Sequence, residues 1–224
     1  MKGFLRTVAA IFWKDLLGEK RSREIIASML VFALVVILIF VFAFNLSVET
    51  RRTAAAAVIW VTLCFSGTLS LNRTMSSEKE WDGMDGLMLA PVDRIAIFVA
   101  KVLVNWTFVL LTALVIVPVY ALFNNVPLLS TGFFGVILLG TLGYILTGTL
   151  LAALTQQLKT RDLLLPVLLF PIIIPLLLAA VNASTLLLQG GDLQGLSTWL
   201  MLLVGYDLLF LAVAIMVYDK ILDD

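Results

Sequence analysis

Histidine is absent from the 224 residues, and the chain contains a single cysteine, Cys64. Without an imidazole there is no Ser-His-Asp relay, no histidine-ligated zinc and no histidine axial ligand for haem. A lone cysteine excludes an internal disulfide, and its apolar neighbours favour a packing role. The phosphate-binding pattern G-x-x-x-x-G-K-[ST] is missing as well. We therefore predict no catalytic, cofactor-binding or metal-binding residue, and we expect that the chain is not an enzyme by itself.

Charged residues are scarce, at 13%, whereas hydrophobic residues make up 62% and the mean hydropathy is +1.09. Soluble domains have about 25% charged residues. Helices satisfy their own backbone hydrogen bonds in hydrocarbon, so we predict an all-α integral membrane protein in one domain, 1–224. The 15 basic and 15 acidic residues balance, and we expect no nucleic-acid partner. Six apolar stretches of membrane-spanning length lie at about residues 25–46, 54–71, 95–123, 133–154, 163–188 and 199–218.

The segment before the first span, residues 1–24, alternates apolar and basic residues at helical spacing. This pattern predicts an amphipathic helix that lies among lipid headgroups, with Trp13 as an interfacial anchor. A cap helix that packs on other protein is the alternative. The apolar positions are Phe4, Leu5, Val8, Ile11, Phe12 and Leu16, and the basic ones are Lys2, Arg6, Lys14 and Lys20.

The distribution of lysine and arginine predicts the orientation in the membrane. If the N-terminus is cytoplasmic, all 15 basic residues except Arg51 and Arg52 fall on the cytoplasmic side. Cytoplasmic loops carry an excess of these residues. We therefore expect both termini in the cytoplasm.

The longest inner loop, residues 73–94, is acidic where basic residues normally dominate. Its composition suits docking of a cytoplasmic partner, with Trp81 and Met88 as anchors inside a charged rim. A solvated connector whose apolar residues dip into the interface is the alternative. The residues that we predict to contact the partner are Glu78, Glu80, Trp81, Asp82, Asp85, Leu87 and Met88.

The fifth span contains Pro171 and Pro175, four residues apart on one helix face, and Pro166 close to its start. We expect Pro166 to lie in the first helical turn, where a missing N–H costs little. Pro171 and Pro175 each remove one intrahelical hydrogen bond, and such a break is either a hinge or a static kink. The sequence leaves both possibilities open.

Asp207 is the one acidic residue deep inside a predicted span. An aspartate at this depth costs about 2.5–3.5 kcal/mol on insertion scales, so we expect a polar partner. Candidates are Tyr144, Thr147 and Asn105. Asp207 is either a polar point on a substrate or conformational path, or a structural contact between helices or subunits. The glycines of the fourth span predict close helix packing within the chain or at a subunit interface.

Several stretches together carry a resemblance that covers essentially the whole chain. They are WKDL at 13–16, RSRE at 21–24, EWDGMDGLMLAPV at 80–92, AK at 100–101 and LPVLLFPIIIP at 165–175. In order and spacing they resemble permeases of ABC-2-type ABC transporters, and more closely the haem exporter B family of cytochrome c maturation. The resemblance implies an elbow-like N-terminal helix and a coupling loop at 73–94 that fits a cleft in the partner ATPase.

The same resemblance implies a set of partners and a cellular location. A separate pair of cytoplasmic ABC ATPase subunits would bind ATP, and companion membrane subunits with histidine ligands would handle haem. Haem would be the transported species and not a cofactor of this chain, in the inner membrane of a bacterium and with a homodimer possible. An ABC-2-type permease for lipid, drug or glycan, and an assembly scaffold that transports nothing, are the alternatives.

Overall fold

The computed structural model describes residues 2–43, 48–80, 93–155, 161–191 and 193–221. Within these ranges the chain forms helices and no strand. The helices are α1 (Lys2–Ser22), α2 (Glu24–Ala43), α3 (Val48–Glu80), α4 (Arg94–Asn124), α5 (Thr131–Thr155), α6 (Arg161–Gln189) and α7 (Leu193–Ile221). Six of them, α2 to α7, are long and apolar enough to cross a membrane. The prediction of an all-α, six-span membrane protein is confirmed.

Helix α3 is longer than the second predicted span. The apolar stretch ends near Leu71, whereas α3 continues to Glu80 and has 33 residues. At 1.5 Å per residue it is about 50 Å long and exceeds the ~30 Å hydrocarbon layer. The first eight residues of the predicted loop, 73–80, are therefore helical.

Helix α5 lies at the centre of the bundle and contacts α3, α4, α6 and α7. Its glycines allow this close packing, because large side chains of neighbouring helices occupy the space that a Cβ would need. A Cβ at Gly140 would overlap the Trp60 indole, and one at Gly148 would overlap Leu71. The Trp60 indole N–H also donates a hydrogen bond of 2.9 Å to Ser184 Oγ on α6. The predicted packing role of these glycines within the chain is confirmed.

The predicted amphipathic helix forms as α1, and its apolar residues face two ways. Val8 and Ile11 are buried against the start of α4, where they contact Ala96, Ile97 and Ala100. Phe4, Phe12 and Leu16 are partly buried, whereas Leu5, Trp13 and Leu17 are exposed on the surface. Helix α1 thus packs on protein through one part of its apolar surface and leaves another part uncovered.

Helix α1 and the last turns of α7 lie at the same end of the bundle. Helix α1 packs on the first turns of α4, and the Phe98 ring of α4 lies 4.9 Å from the Tyr218 ring near the end of α7. Since α3 ends and α4 begins here, we call this the loop end. The loop end thus gathers α1, the end of α7 and both helix termini that flank residues 81–92.

A tight corner joins α1 to α2. Arg23 has a left-handed backbone with φ of 57°, and its N–H donates to the Glu19 carbonyl at 2.6 Å. The buried Glu19 carboxylate accepts the Ile26 N–H at 2.8 Å, which satisfies one of the free donors at the start of α2. The angle between α1 and α2 is therefore fixed by hydrogen bonds and not only by chain connectivity.

We expect Arg23→Gly to stabilise the protein by about 1 kcal/mol, because a left-handed residue with a Cβ costs ~1–2 kcal/mol. Arg21→Gly is the matched control, and it should destabilise by roughly 0.5–1 kcal/mol, since Arg21 lies inside the last turn of α1. Cys64 is buried, so its reaction with a thiol dye during heating reports unfolding. Equal shifts of the two variants would contradict the proposed strain at Arg23.

Candidate functional site: the loop frame and the midplane acid

The predicted partner-contact residues lie at the margin of the described chain. Trp81, Asp82, Asp85, Leu87 and Met88 fall outside the described residues. Glu78 and Glu80 belong to the last turn of α3, of which the backbone is described. Their predicted contact with a partner stays a prediction, and the structure instead describes how the flanking helices are held.

Asn105 of α4 links the two helices that flank the loop. Its side-chain oxygen accepts hydrogen bonds of 2.9 Å from both Ser70 and Thr74 of α3. Its amide nitrogen donates to the Lys101 carbonyl at 3.0 Å. All three polar side chains are buried. The end of α3 and the start of α4 therefore form one hydrogen-bonded unit.

A buried ion pair attaches α1 to the same unit. Lys101 Nζ lies 2.6 Å from Asp15 Oδ2, and the two side chains are 1% and 14% exposed. Asp15 also pairs with the half-exposed Lys14 at 3.2 Å. Because desolvation offsets most of the attraction in a buried pair, its main effect is to specify position. The pair therefore fixes where α1 sits on α4.

These five side chains form what we call the loop frame, which joins α1, α3 and α4 at the loop end. The sequence showed Lys101 as a charge in an apolar run, but it gave no signal for its partner 86 positions away. A frame of satisfied, buried polar groups is suited to transmit a displacement of the loop to three helices at once. The frame residues are Asp15, Ser70, Thr74, Lys101 and Asn105.

Asp207 is buried near the middle of α7, with 7% of its surface exposed. Among the described residues neither of its carboxylate oxygens has a hydrogen-bond partner. The carboxyl group lies against Gly143 of α5, where a Cβ would overlap Asp207 Oδ1. An acid packed on a glycine in the bundle interior is therefore the most unusual polar feature of the spans.

The predicted partners of Asp207 are wrong, because each of them bonds elsewhere. The Tyr144 hydroxyl lies 2.7 Å from Thr68 Oγ1 and donates to the Cys64 carbonyl, both on α3. Thr147 Oγ1 donates to the Tyr206 hydroxyl at 3.1 Å, and Asn105 belongs to the loop frame. Tyr144 directly follows Gly143 in the sequence, but successive side chains of a helix point about 100° apart. Tyr144 therefore does not face Asp207 although Gly143 does.

Tyr206, next to Asp207 in the sequence, connects three helices. Its hydroxyl bonds Thr147 of α5 and donates at 3.3 Å to the Ile172 carbonyl of α6. Its ring stacks on Phe210 at 4.5 Å. The role of Tyr206 could not be predicted from the sequence, because a tyrosine in an apolar helix gives no sign of which groups its hydroxyl contacts. Tyr206 thus supplies a hydrogen bond to the helix segment that the prolines interrupt.

The three prolines lie inside α6, which is helical from Arg161 to Gln189. The prediction that Pro166 lies in the first turn is wrong, because the helix starts two residues earlier than the apolar stretch. Pro171 and Pro175 lie on the exposed face, opposite the buried Ile173 and Leu176. Whether this segment acts as a hinge stays a prediction.

Metal chemistry has no candidate in the part of the chain that the structure describes, where no group of three His, Cys, Asp or Glu side chains could hold an ion. Cys64 is buried, as its predicted packing role requires. The fold and these polar groups define a multi-pass helical membrane protein in which buried side chains link the helices.

Comparisons with known proteins identify the family. A family model described as CcmB protein matches residues 6–221, and the chain belongs to that family. A relative named Heme exporter protein B in Pseudomonas aeruginosa is 33% identical over 188 residues, with 81% of each chain covered. A relative of the same name in Rhodobacter capsulatus is 31% identical over 150 residues, which cover 66% of this chain and 69% of the relative. The relative of that name in Escherichia coli K12 is 30% identical over 180 residues, or 77% of this chain and 81% of its own. The resemblance seen in the sequence is confirmed.

Proposed function

We propose that this chain is the membrane permease subunit of an ATP-driven complex that handles haem for the maturation of c-type cytochromes. The observation that carries the proposal is the family match over residues 6–221, on a fold with six apolar helices of membrane-spanning length. The proposed substrate, haem, is taken from the name of the relatives, Heme exporter protein B. An ABC-2-type permease for another substrate and a scaffold without transport are the competing functions.

Haem itself is proposed to be bound elsewhere in the complex. The sequence has no histidine, and its one cysteine is buried in α3, so neither an imidazole nor an accessible thiolate is available as an axial ligand for haem. Companion membrane subunits with histidine ligands would hold haem, and this chain would carry no cofactor. Its contribution would be mechanical.

The predicted coupling loop, residues 73–94, is proposed to dock into a cytoplasmic ABC ATPase pair. The basic residues favour a cytoplasmic loop end. The structure supports the arrangement in one respect, since α1, the end of α7 and the loop-flanking helix termini share one end of the bundle. ATP binding on the partner would move the loop, and the loop frame would pass that movement to α1, α3 and α4. The complex would lie in the bacterial inner membrane.

We expect Trp81→Ala to weaken binding of the partner ATPase about 30-fold, the effect of losing an aromatic anchor worth roughly 2 kcal/mol. The measurement is the affinity between the purified chain in mild detergent and the ATPase that co-purifies with it. Trp13→Ala is the matched control, because Trp13 is an exposed tryptophan at the same end, on α1. It should change the affinity less than about threefold.

Two results would contradict the proposal. If no cytoplasmic ATPase co-purifies with the native chain, the proposed permease function fails and the result favours the scaffold function. If the ATPase binds but Trp81→Ala and a charge-reversed Glu80, Asp82 and Asp85 variant bind it unchanged, the docking segment lies elsewhere. Mass spectrometry of the isolated complex also tests the substrate, because we expect a small haem-handling membrane protein beside the ATPase.

A further inference from the structure

Asp207 lies close to the centre of its span. The apolar helix runs from Gln194 to Tyr218, so at 1.5 Å per residue Asp207 is about 16 Å or more from either end. Gly143, whose backbone it faces, is likewise at the centre of α5, Thr131–Thr155. At this depth α7 therefore contacts α5 through the Asp207 carboxyl group, which packs on the backbone of Gly143.

Within the described part of the chain, no charged group pairs with the carboxyl group. A Cβ on Gly143 would overlap Asp207 Oδ1. It would also lie 2.9 Å from a methyl of Leu176 on α6 and 3.2 Å from the Tyr206 ring. The titratable side chain beside it is the Tyr206 phenol, whose hydroxyl bonds Thr147 and Ile172, whereas the Tyr144 hydroxyl bonds α3 instead. No salt bridge or hydrogen bond reaches either oxygen within the described ranges.

An ionised carboxylate in such a place is very costly, and an unpaired buried acid becomes neutral instead. We propose that Asp207 is a proton-binding site at the membrane midplane, which holds a proton while α5 and α7 are in contact and releases it to water when they separate. Protonation converts the side chain into a neutral acid that packs on Gly143 without a counter-ion. Release needs no further reactant, since water accepts the proton and solvates the carboxylate.

The first experiment tests proton binding on the full chain in lipid vesicles. Infrared difference spectra between the native chain and Asp207→Asn should show, at neutral pH, the carbonyl band of a protonated carboxylic acid that only the native chain has. The control is Glu24→Gln at a side chain that is 70% exposed in the native chain, and its difference spectrum should lack this band. The fold of each variant is verified by the protection of Cys64 from thiol dye.

The result that overturns proton binding is a carboxylate band for Asp207 at neutral pH in a chain whose Cys64 is protected. Asn is close to Asp in size and is uncharged, so the variant should retain the packing on Gly143. A carboxylate band would mean that water within the bundle stabilises an unpaired charge on Asp207, which contradicts the proposal.

The second experiment tests release and rests on the proposed function, because it needs an ATP-driven movement. In deuterated buffer we expect ATP turnover by the bound ATPase to speed hydrogen–deuterium exchange of the Asp207 acid about tenfold or more, as exchange follows opening. Unchanged exchange during measured turnover overturns release. If no ATPase binds, the proposed function fails and release fails with it, whereas proton binding is decided by the first experiment alone.

Discussion

Asp15→Ala is expected to lower the free energy of unfolding by about 3–5 kcal/mol, the effect of removing one partner from a buried ion pair. The variant leaves the ammonium of Lys101, which is 1% exposed, without the carboxylate 2.6 Å away. The double variant Asp15→Ala with Lys101→Met should recover most of the loss, because apolar replacement of a whole buried pair is often close to neutral. Unfolding is followed through dye labelling of Cys64.

The control for this experiment is Lys14→Ala. Lys14 also contacts Asp15, but 55% of its side chain is exposed, so its loss should cost less than about 1 kcal/mol. Equal effects of Asp15→Ala and Lys14→Ala would show that the buried pair does not hold α1 in place. Failure of the double variant to recover stability would show that Lys101 has another essential role in the loop frame.

Gly140→Ala and Gly135→Ala are expected to change stability in opposite directions, although both replace a glycine in α5 by the best helix former. The Cβ at position 140 would overlap the Trp60 indole, which forces a shift that costs about 1–3 kcal/mol. At position 135 no atom lies within 4 Å of the added Cβ. There the helix propensity of alanine should stabilise by up to about 1 kcal/mol.

The measurement is again the temperature at which Cys64 becomes reactive, now with the packing of α3 on α5 as the quantity tested. Trp60→Leu in the Gly140→Ala background should recover part of the stability by making room, although it removes the bond to Ser184. A stabilising effect of Gly140→Ala would mean that α3 and α5 are not in the close contact described.

The spans could be predicted from the sequence because the membrane imposes a simple rule. Every backbone polar group in hydrocarbon needs an internal partner, so long apolar stretches have to be helices. The amphipathic pattern of residues 1–24 predicted α1 for a similar reason. The end of α3 was less predictable, since Met75, Glu78, Lys79 and Glu80 are polar or flexible but good helix formers, and the first glycine comes at Gly83.

The partners of the buried polar residues could not be predicted. Asp15 and Lys101 are 86 positions apart, and Ser70 and Asn105 are 35 apart. Such contacts depend on which helix faces lie together, and an all-round apolar helix gives no periodic signal of its rotation. Asp207 packs on a glycine where a polar partner was expected, because an unsatisfied acid is the exception among buried groups.

The packing of Asp207 on Gly143 has a consequence for biogenesis. The ribosome completes α5 before α7, so the glycine surface is already in the membrane when the acid leaves the translocon. A lone aspartate at the centre of a helix costs about 2.5–3.5 kcal/mol during insertion, and the leucine-rich residues around it must offset that cost. Chains truncated before α7 would therefore expose the Gly143 surface to lipid.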